Sequence, residues 1–488
     1  MLRSAPMISE ERLDQISKDL LESSGFAFEN RSTAFELLAY KILSDRQRAI
    51  KPVDENESKD KIGYYIEPNY SFEKVAQRDR RNSEKWYEAF QKFAVSNPLL
   101  LDMFTSEYQH LGEIKDKSDK SLEDYLTTCD FTGFSVNESS FLFDELLENC
   151  YSDRRKMYSC DAPKQMRELI AEILNIEVKK EKVSIFDPVA MSGSLLLTLK
   201  EKFPSNVGLY GEELSSDIFR LSKMNMLIHG IDAQTIHDNF VRGDFLKDEE
   251  LDANSKFDII PMTPPFSSWD ANPELLNDPC FSEVGVLPPK SKADYAYVLR
   301  GLQHLSEDGT MAVTLPTGAL FRSAAEGEIR KYLLEKQNIH AVISLPQGAR
   351  NYMAIYTVLL IFKKKKTDKI LFIDASRDGV KNATRLKKNF LTEEGFAKIL
   401  NTYCNREEVD RYSRLVSLDE IRENDYNLNI PRYIDTFSEK KIDVEATMSS
   451  LSAKQKVIET SKKEMIELLR KLDTPEAHQA IKAVSISE

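Results

Sequence analysis

The chain has 488 residues, 41% of them apolar, enough to bury substantial cores in two or three domains. A formal charge of −13 excludes a protein that grips DNA through its overall charge, because neutralising phosphates needs clustered Lys and Arg; a local basic groove stays compatible with it. The five cysteines, Cys129, Cys150, Cys160, Cys280 and Cys404, form no Cys-x-x-Cys pair, so neither a zinc site nor a disulfide scaffold is expected, and no metal ligands are assigned. The longest apolar run, Tyr356 to Phe362, is a strand's length and ends in four lysines, too short to span a membrane. No signal peptide is read at the N-terminus, and a cytoplasmic protein is expected.

Residues 1–150 are expected to form a helical domain. Leu13, Ile16 and Leu20, and then Phe35, Leu38 and Ile42, recur at helical spacing. The polar stretches Lys51 to Lys61 and Lys115 to Lys120 read as exposed loops. From 151 to 437 strands alternate with helices, which predicts a doubly wound α/β domain with a mostly parallel sheet covered on both faces. The predicted strands are Val183–Phe186, Val207–Tyr210, Phe257–Met262, Met311–Leu315, His340–Leu345 and Tyr356–Phe362. The last two, joined by a short Gly/Arg/Asn turn, predict an antiparallel hairpin. Residues 367 to about 437 read as a mixed extension that includes the segment Ile370–Ile373. The tail, 438–488, reads as helical: Leu451, Ile458, Met465 and Leu472 fall at a seven-residue period, but Lys454 and Ser461 between them are polar. Periodicity leaves a coiled-coil seam and a helix lying on its own domain equally open.

Four sites follow predicted strands. Val183–Phe186 runs into Asp187-Pro188-Val189-Ala190-Met191-Ser192-Gly193-Ser194 and an apolar helix, the usual nucleotide-binding corner of a doubly wound sheet. Val207–Tyr210 leads to Gly211-Glu212-Glu213, where a carboxylate can accept hydrogen bonds from ribose hydroxyls. Asp244 follows a third short segment and could bind an adenine amino group. Phe257–Met262 ends in Thr263-Pro264-Pro265-Phe266. The two prolines turn the chain out of the sheet and set a hydroxyl, a rigid carbonyl and a flat ring side by side. Enzymes that methylate exocyclic amino groups of DNA bases present such a turn to a flipped-out base.

The chain resembles the modification (methyltransferase) subunit of type I restriction–modification systems along nearly its whole length. Beside the two motifs above, the resemblance rests on Phe35-Glu36-Leu37-Leu38-Ala39-Tyr40-Lys41-Ile42-Leu43-Ser44-Asp45-Arg46, on Ser291-Lys292-Ala293-Asp294-Tyr295-Ala296, on Arg322-Ser323-Ala324-Ala325-Glu326-Gly327-Glu328-Ile329-Arg330 and on Asp425-Tyr426-Asn427-Leu428-Asn429-Ile430-Pro431-Arg432-Tyr433. It implies a Rossmann-like class I methyltransferase domain behind a helical N-terminal domain. It further implies S-adenosylmethionine as cofactor and methylation of the adenine amino group of double-stranded DNA within a complex. The specificity subunit would read the DNA sequence, and the tail would contact its helices; whether a restriction subunit joins stays open. By resemblance, Thr263, Pro264, Pro265 and Phe266 are the catalytic turn, and Tyr158, Asp187, Met191, Ser192, Gly193, Ser194, Glu213 and Asp244 surround the cofactor.

Three positions depart from the family's pattern. The turn normally begins with Asn, Asp or Ser, and here it begins with Thr263, whose hydroxyl is shorter than an amide and whose β-branch restricts χ1. The loop is Asp-Pro-x-Cys-Gly-Ser-Gly in the family, so Ala190 and Met191 differ, and Met191 puts a thioether where glycine leaves space. Lys156-Met157-Tyr158-Ser159-Cys160-Asp161 stands where the family has Gly-Glu-Phe-Tyr-Thr-Pro. Weak or undetectable binding of the cofactor is therefore expected. Two functions remain open: an adenine methyltransferase, and a catalytically silent homologue acting as scaffold, regulator or decoy in a restriction or phage-defence system.

Overall fold

The computed structural model describes residues 10–22, 31–77, 83–104, 122–151, 162–203, 206–247, 254–336, 338–347, 356–380, 390–435, 444–472 and 474–485. Tyr158, the 156–161 string, the 115–120 stretch and the Gly/Arg/Asn turn lie outside them. The chain divides into two compact units, 1–435 and 436–488.

The first unit is built on a nine-stranded sheet. Its strands are β1 (Val183–Asp187), β2 (Val207–Glu213), β3 (Phe240–Arg242), β4 (Phe257–Met262), β5 (Leu305–Pro316), β6 (Ile339–Ser344), β7 (Thr357–Lys363), β8 (Lys369–Asp374) and β9 (Ser413–Ser417). They lie in the order β3-β2-β1-β4-β5-β7-β6-β8-β9. Strands β1 to β5 are parallel, β7 inserts antiparallel between β5 and β6, β8 is parallel to β6, and β9 is antiparallel to β8. The extension expected after residue 367 thus supplies two further strands of the same sheet. Helices such as Ser194–Lys202, Ser216–Ile228, Asp294–His304 and Ala325–Glu335 connect the strands.

Both faces of the sheet are buried, which is why its strands are apolar runs rather than alternating ones. Alternate residues feed two separate cores: in β7, Leu359 and Ile361 join one, while Val358, Leu360 and Phe362 join the other. The first core continues without a break into the N-terminal helices through Leu20, Phe35, Leu38, Tyr40 and Ile42. Arg46 ties the layers together, donating to the carbonyls of Leu227 (3.2 Å) and Ile228 (2.8 Å) at the end of helix Ser216–Ile228. These are carbonyls that a helix C-terminus leaves without an intrahelical partner.

The stretch 51–61 departs from the expected loop, because Glu55–Ile62 is a helix. Asp54 caps it by accepting the Glu57 N–H, Gly63 ends it at φ 83°, and the pairs Glu55–Lys59 and Glu57–Lys61 line its exposed face. Charge density there marked a solvated helix face, not a loop.

Pro261 lies inside β4, a central strand, where a missing N–H normally breaks the ladder. It is accommodated because the pairing of β4 with β1 is confined to Ile185↔Ile259, while on the β5 side Pro261 faces Ala312. The ladder between β1 and β4 is already open before Pro261. This is also where strand order reverses, the point at which doubly wound sheets form their ligand crevice.

The second unit consists of helix Val444–Leu472 packed with helix Pro475–Ser485. Leu451, Ile458, Met465, Leu468 and Leu472 are 42–64% exposed. Among the described residues no helix is long and apolar enough to cross a membrane, and no group of three His, Cys, Asp or Glu is placed to hold a metal ion.

Candidate active site

Asp187 closes β1, Glu213 closes β2, Asp244 follows β3 by two residues and Thr263 follows β4 directly. Since β3, β2, β1 and β4 are neighbours and parallel, the four residues come together along one edge, with Asp187 and Thr263 on the two sides of the reversal point between β1 and β4 and Glu213 and Asp244 successively further out beyond Asp187. Tight registers enforce this: Asp187 lies opposite Gly211, and Glu213 opposite Arg242.

The loop after β1 is held by short-range bonds. The Asp187 carboxylate accepts the Val189 N–H (3.0 Å), and the Ala190 N–H donates to the Glu212 carbonyl (2.9 Å), which ties the loop to β2. Gly211 makes that approach possible: a Cβ there would stand 3.1 Å from the Ala190 Cβ and 2.8 Å from the Phe240 ring. Gly193 takes φ +80° and starts the helix, and a side chain on it would collide with Met226. The hydroxyls of Ser192 and Ser194 are bonded to each other at 2.7 Å.

Met191 takes φ +50°, the left-handed region that favours glycine, and its side chain is only half-buried. The loop keeps a glycine-like turn although the residue is not glycine. Its N–H donates to Glu213 Oε2 (3.1 Å), and the Ser215 N–H donates to Oε1 (2.7 Å). Glu213 is buried, and burial raises its carboxyl above the ordinary range, opposed by the N–H groups of Ser215, Met191 and Leu214. Asp244 accepts the Leu246 N–H at 3.2 Å.

Asn225 was missed by the sequence reading. It is fully buried on helix Ser216–Ile228, and its Nδ2 donates to the Ser192 carbonyl (3.0 Å) and the Ser194 hydroxyl (3.3 Å), so it fixes the loop after β1 from outside. The available signal was a lone amide inside the otherwise apolar run Met224 to Ile228.

Thr263 and Pro264 are buried, whereas Pro265 and Phe266 are partly exposed. The turn is closed by Ser267, whose N–H donates to the Pro265 carbonyl (3.0 Å) and whose carbonyl accepts the Ala293 N–H (3.0 Å). Ala293 leads into helix Asp294–His304, so the turn hangs on a buried helix rather than on a loose loop. The excursion between is pinned by Trp269, which donates through its backbone N–H to the Lys290 carbonyl and through its indole to the Pro289 carbonyl.

Residues 146–442 match the family model described as N-6 DNA Methylase. The methylase subunit of the type I restriction enzyme MpnII of Mycoplasma pneumoniae is 30% identical over 444 residues, 86% of this chain and 80% of that protein. The methylase subunit of MjaVII of Methanocaldococcus jannaschii is 28% identical over 464 residues, 88% of this chain and 78% of that protein. The crystal structure of a type I restriction–modification methyltransferase subunit from Streptococcus thermophilus superimposes with a TM-score of 0.76 at 30% identity, over 88% of this chain and 100% of that one. With the nine-stranded sheet and its Thr-Pro-Pro-Phe turn, these likenesses carry one conclusion: the chain belongs to the N-6 DNA methylases, in the family of type I restriction enzyme methylase subunits.

Proposed function

We propose that this chain methylates the exocyclic amino group of adenine in double-stranded DNA, using S-adenosylmethionine, as the modification subunit of a complex with a specificity subunit. The observation that carries the reading is the placement of Asp187, Glu213, Asp244 and Thr263 at adjacent parallel strand ends, beside the reversal point of the sheet.

The residues fit the cofactor at its nucleoside end. An ionised carboxylate offers about four acceptor positions. Glu213 uses three for backbone N–H groups, which leaves room for a ribose hydroxyl. Asp244 follows the next strand out, β3, and in this reading accepts from the adenine amino group. The fit is poorer at the methionine end, where Met191 replaces the smallest side chain. When bound, the cofactor supplies an electrophilic methyl group on sulfur.

The adenine nitrogen is a poor nucleophile because its lone pair is delocalised into the ring. In this reading the Thr263 hydroxyl and the Pro264 carbonyl accept its two protons and draw the nitrogen towards tetrahedral geometry. Phe266, partly exposed after the two prolines, stacks on the base. Burial of Thr263 and Pro264 excludes water from those acceptors. Most of the rate enhancement is positioning. A threonine in place of a longer acceptor is expected to cost on the order of 3–4 kcal/mol at the transition state, a hundredfold or more in rate.

A second reading, the silent homologue that keeps only its assembly surfaces, is favoured by Met191 in the loop and Thr263 in the turn, together with the altered 156–161 string. Calorimetric titration of S-adenosylmethionine into the purified chain separates the two readings. Measurable binding, even weak, supports the enzyme; no heat from either the unmodified chain or Met191→Gly removes it.

A further inference from the structure

Beyond the catalytic turn, the same edge of the sheet displays a second aromatic feature. Strand β5 runs on past its pairing with β4, which ends at Met262↔Val313, and finishes at Pro316. The segment Thr317–Ala324 follows, and in its middle Phe321 is 47% exposed between the buried Leu320 and the ion-paired Arg322. Tyr356, 48% exposed, immediately precedes β7, and its carbonyl accepts the Thr317 N–H (3.1 Å). Because Pro316 lies opposite Thr357, both rings belong to the edge that carries Thr263.

A lone exposed ring on a protein surface needs no explanation. Phe321 is different because buried polar groups are committed to holding its backbone. Arg322 pairs with Asp294 and, at 2.8 Å, with Glu326. Arg330, itself buried, donates to the carbonyls of Ala319 (3.2 Å) and Arg322 (2.8 Å). The Tyr295 hydroxyl donates to Ala319 (2.7 Å), and the Leu428 N–H to the Leu320 carbonyl (2.9 Å). The segment ends at Ala324 with φ 57° and ψ −136°, a backbone state costly for a residue with a Cβ and kept only where surroundings over-determine it. The anchor is shared: Ala293, Asp294 and Tyr295 hold Ser267 of the catalytic turn, Arg322 and Ala319 respectively. One helix start therefore sets the positions of Thr263-Pro-Pro-Phe and of Phe321 together.

We propose that Phe321 is a stacking ledge for a nucleobase next to the one taken by the Thr263 turn, with Tyr356 exposed on the same edge of the sheet. It steadies the strand from which the target base has been extruded. The proposal rests on the reading of that turn as a base-binding site. Every base offers a π-face once its neighbour has left the stack, and base–aromatic stacking of this kind changes affinity by roughly 5- to 100-fold per ring. The clamp around Arg322 and Arg330 makes the ledge rigid, so little side-chain and backbone ordering is left to pay on binding.

The test uses the full chain co-purified with a specificity subunit of its own system. A randomised duplex library gives the sequence that the complex selects. That sequence is then resynthesised with 2-aminopurine at each adenine in turn. The unmodified complex is expected to raise 2-aminopurine fluorescence at one position. Phe321→Ala and Phe321→Leu should weaken DNA binding by roughly 5- to 100-fold and cut the rise, whereas Phe321→Trp should restore both. Phe321→Leu separates stacking from apolar contact, and unchanged thermal melting excludes misfolding. Unaltered affinity and fluorescence in Phe321→Ala, or in Phe321→Leu, would overturn the ledge while leaving the base-binding turn intact. No fluorescence rise at any adenine with the unmodified complex would instead overturn the reading of the turn, and the ledge with it.

Discussion

Met191 donates its backbone N–H to Glu213 Oε2 across 3.1 Å while standing at φ +50°. The bond couples the end of β2 to the loop after β1, so the carboxylate that closes β2 also props up that loop. The chain retains the loop's shape and accepts the strain of a side chain in left-handed backbone, which is of order 1–3 kcal/mol.

Met191→Gly should therefore leave thermal stability unchanged or raise it by about 1 kcal/mol, since relief of strain offsets the freer unfolded backbone. S-adenosylmethionine affinity should rise, and further with Ala190→Cys if the close packing of Ala190 on Gly211 yields. Calorimetry and thermal melting on the same samples check both. Met191→Ala, which keeps the strain, should gain less affinity than Met191→Gly.

His340 sits half-buried among Lys363, Arg406 and Glu177, and accepts from the Arg406 guanidinium at 2.8 Å. Burial first, then Lys363 and Arg406, push its imidazole down to about 4, against the opposing pull of Glu177. A folded pKa below the unfolded value of 6.5 means the unfolded chain binds this proton first. Its contribution to stability is full above pH 6.5 and is lost as pH falls towards 4, at up to about 1.4 kcal/mol per pH unit. Denaturant melts of the unmodified chain and His340→Gln at pH 7 and pH 4.5 should show the steeper loss in the unmodified chain. Parallel losses would remove the assignment.

Lys223 is buried on helix Ser216–Ile228 with its ammonium 4.7 Å from the Phe219 ring centre. Among the described residues it has no ion-pair partner; Asp102 acts on it only at longer range, and burial lowers its pKa. Burial disfavours the charged form of this side chain, so Lys223→Met should stabilise the fold by about 1 kcal/mol in urea unfolding. Destabilisation would show that the cation–π contact outweighs desolvation.

Helix Val444–Leu472 carries Leu451, Ile458, Met465 and Leu472 exposed along a seven-residue period. In the full chain, Leu451→Glu with Ile458→Glu should abolish co-purification with the specificity subunit and leave the melting of the first unit intact. Undiminished co-purification would exclude this seam as the contact.

Local chemistry carried much of this fold into the sequence. Apolar runs bounded by Asp187, Glu213 and Thr263 located β1, β2 and β4, because parallel strands buried on both faces must be continuously apolar and must stop at polar residues. What stayed illegible depends on partners far away in the chain. The apolar run Ile370–Ile373 marked β8 without its partner, and β9 exists through pairing with β8, which no local pattern announces. The roles of Asn225 on the Ser192 loop and of Arg322 on Asp294 are tertiary, visible only when helices 216–228 and 294–304 are in place. Met191 was identifiable as an intruder, but its left-handed backbone and its bond to Glu213 were not.

The most direct test of the account is transfer of a labelled methyl group from S-adenosylmethionine to duplex DNA by the unmodified chain with its specificity subunit, followed by nucleoside analysis. The account predicts slow labelling, confined to N6-methyladenine and dependent on the specificity subunit. Met191→Gly with Thr263→Asn should accelerate it a hundredfold or more, beyond the product of the single effects, because both changes act on one transition state. Absence of labelled adenine from both the unmodified and the doubly altered chain, with DNA binding and assembly intact, would contradict it.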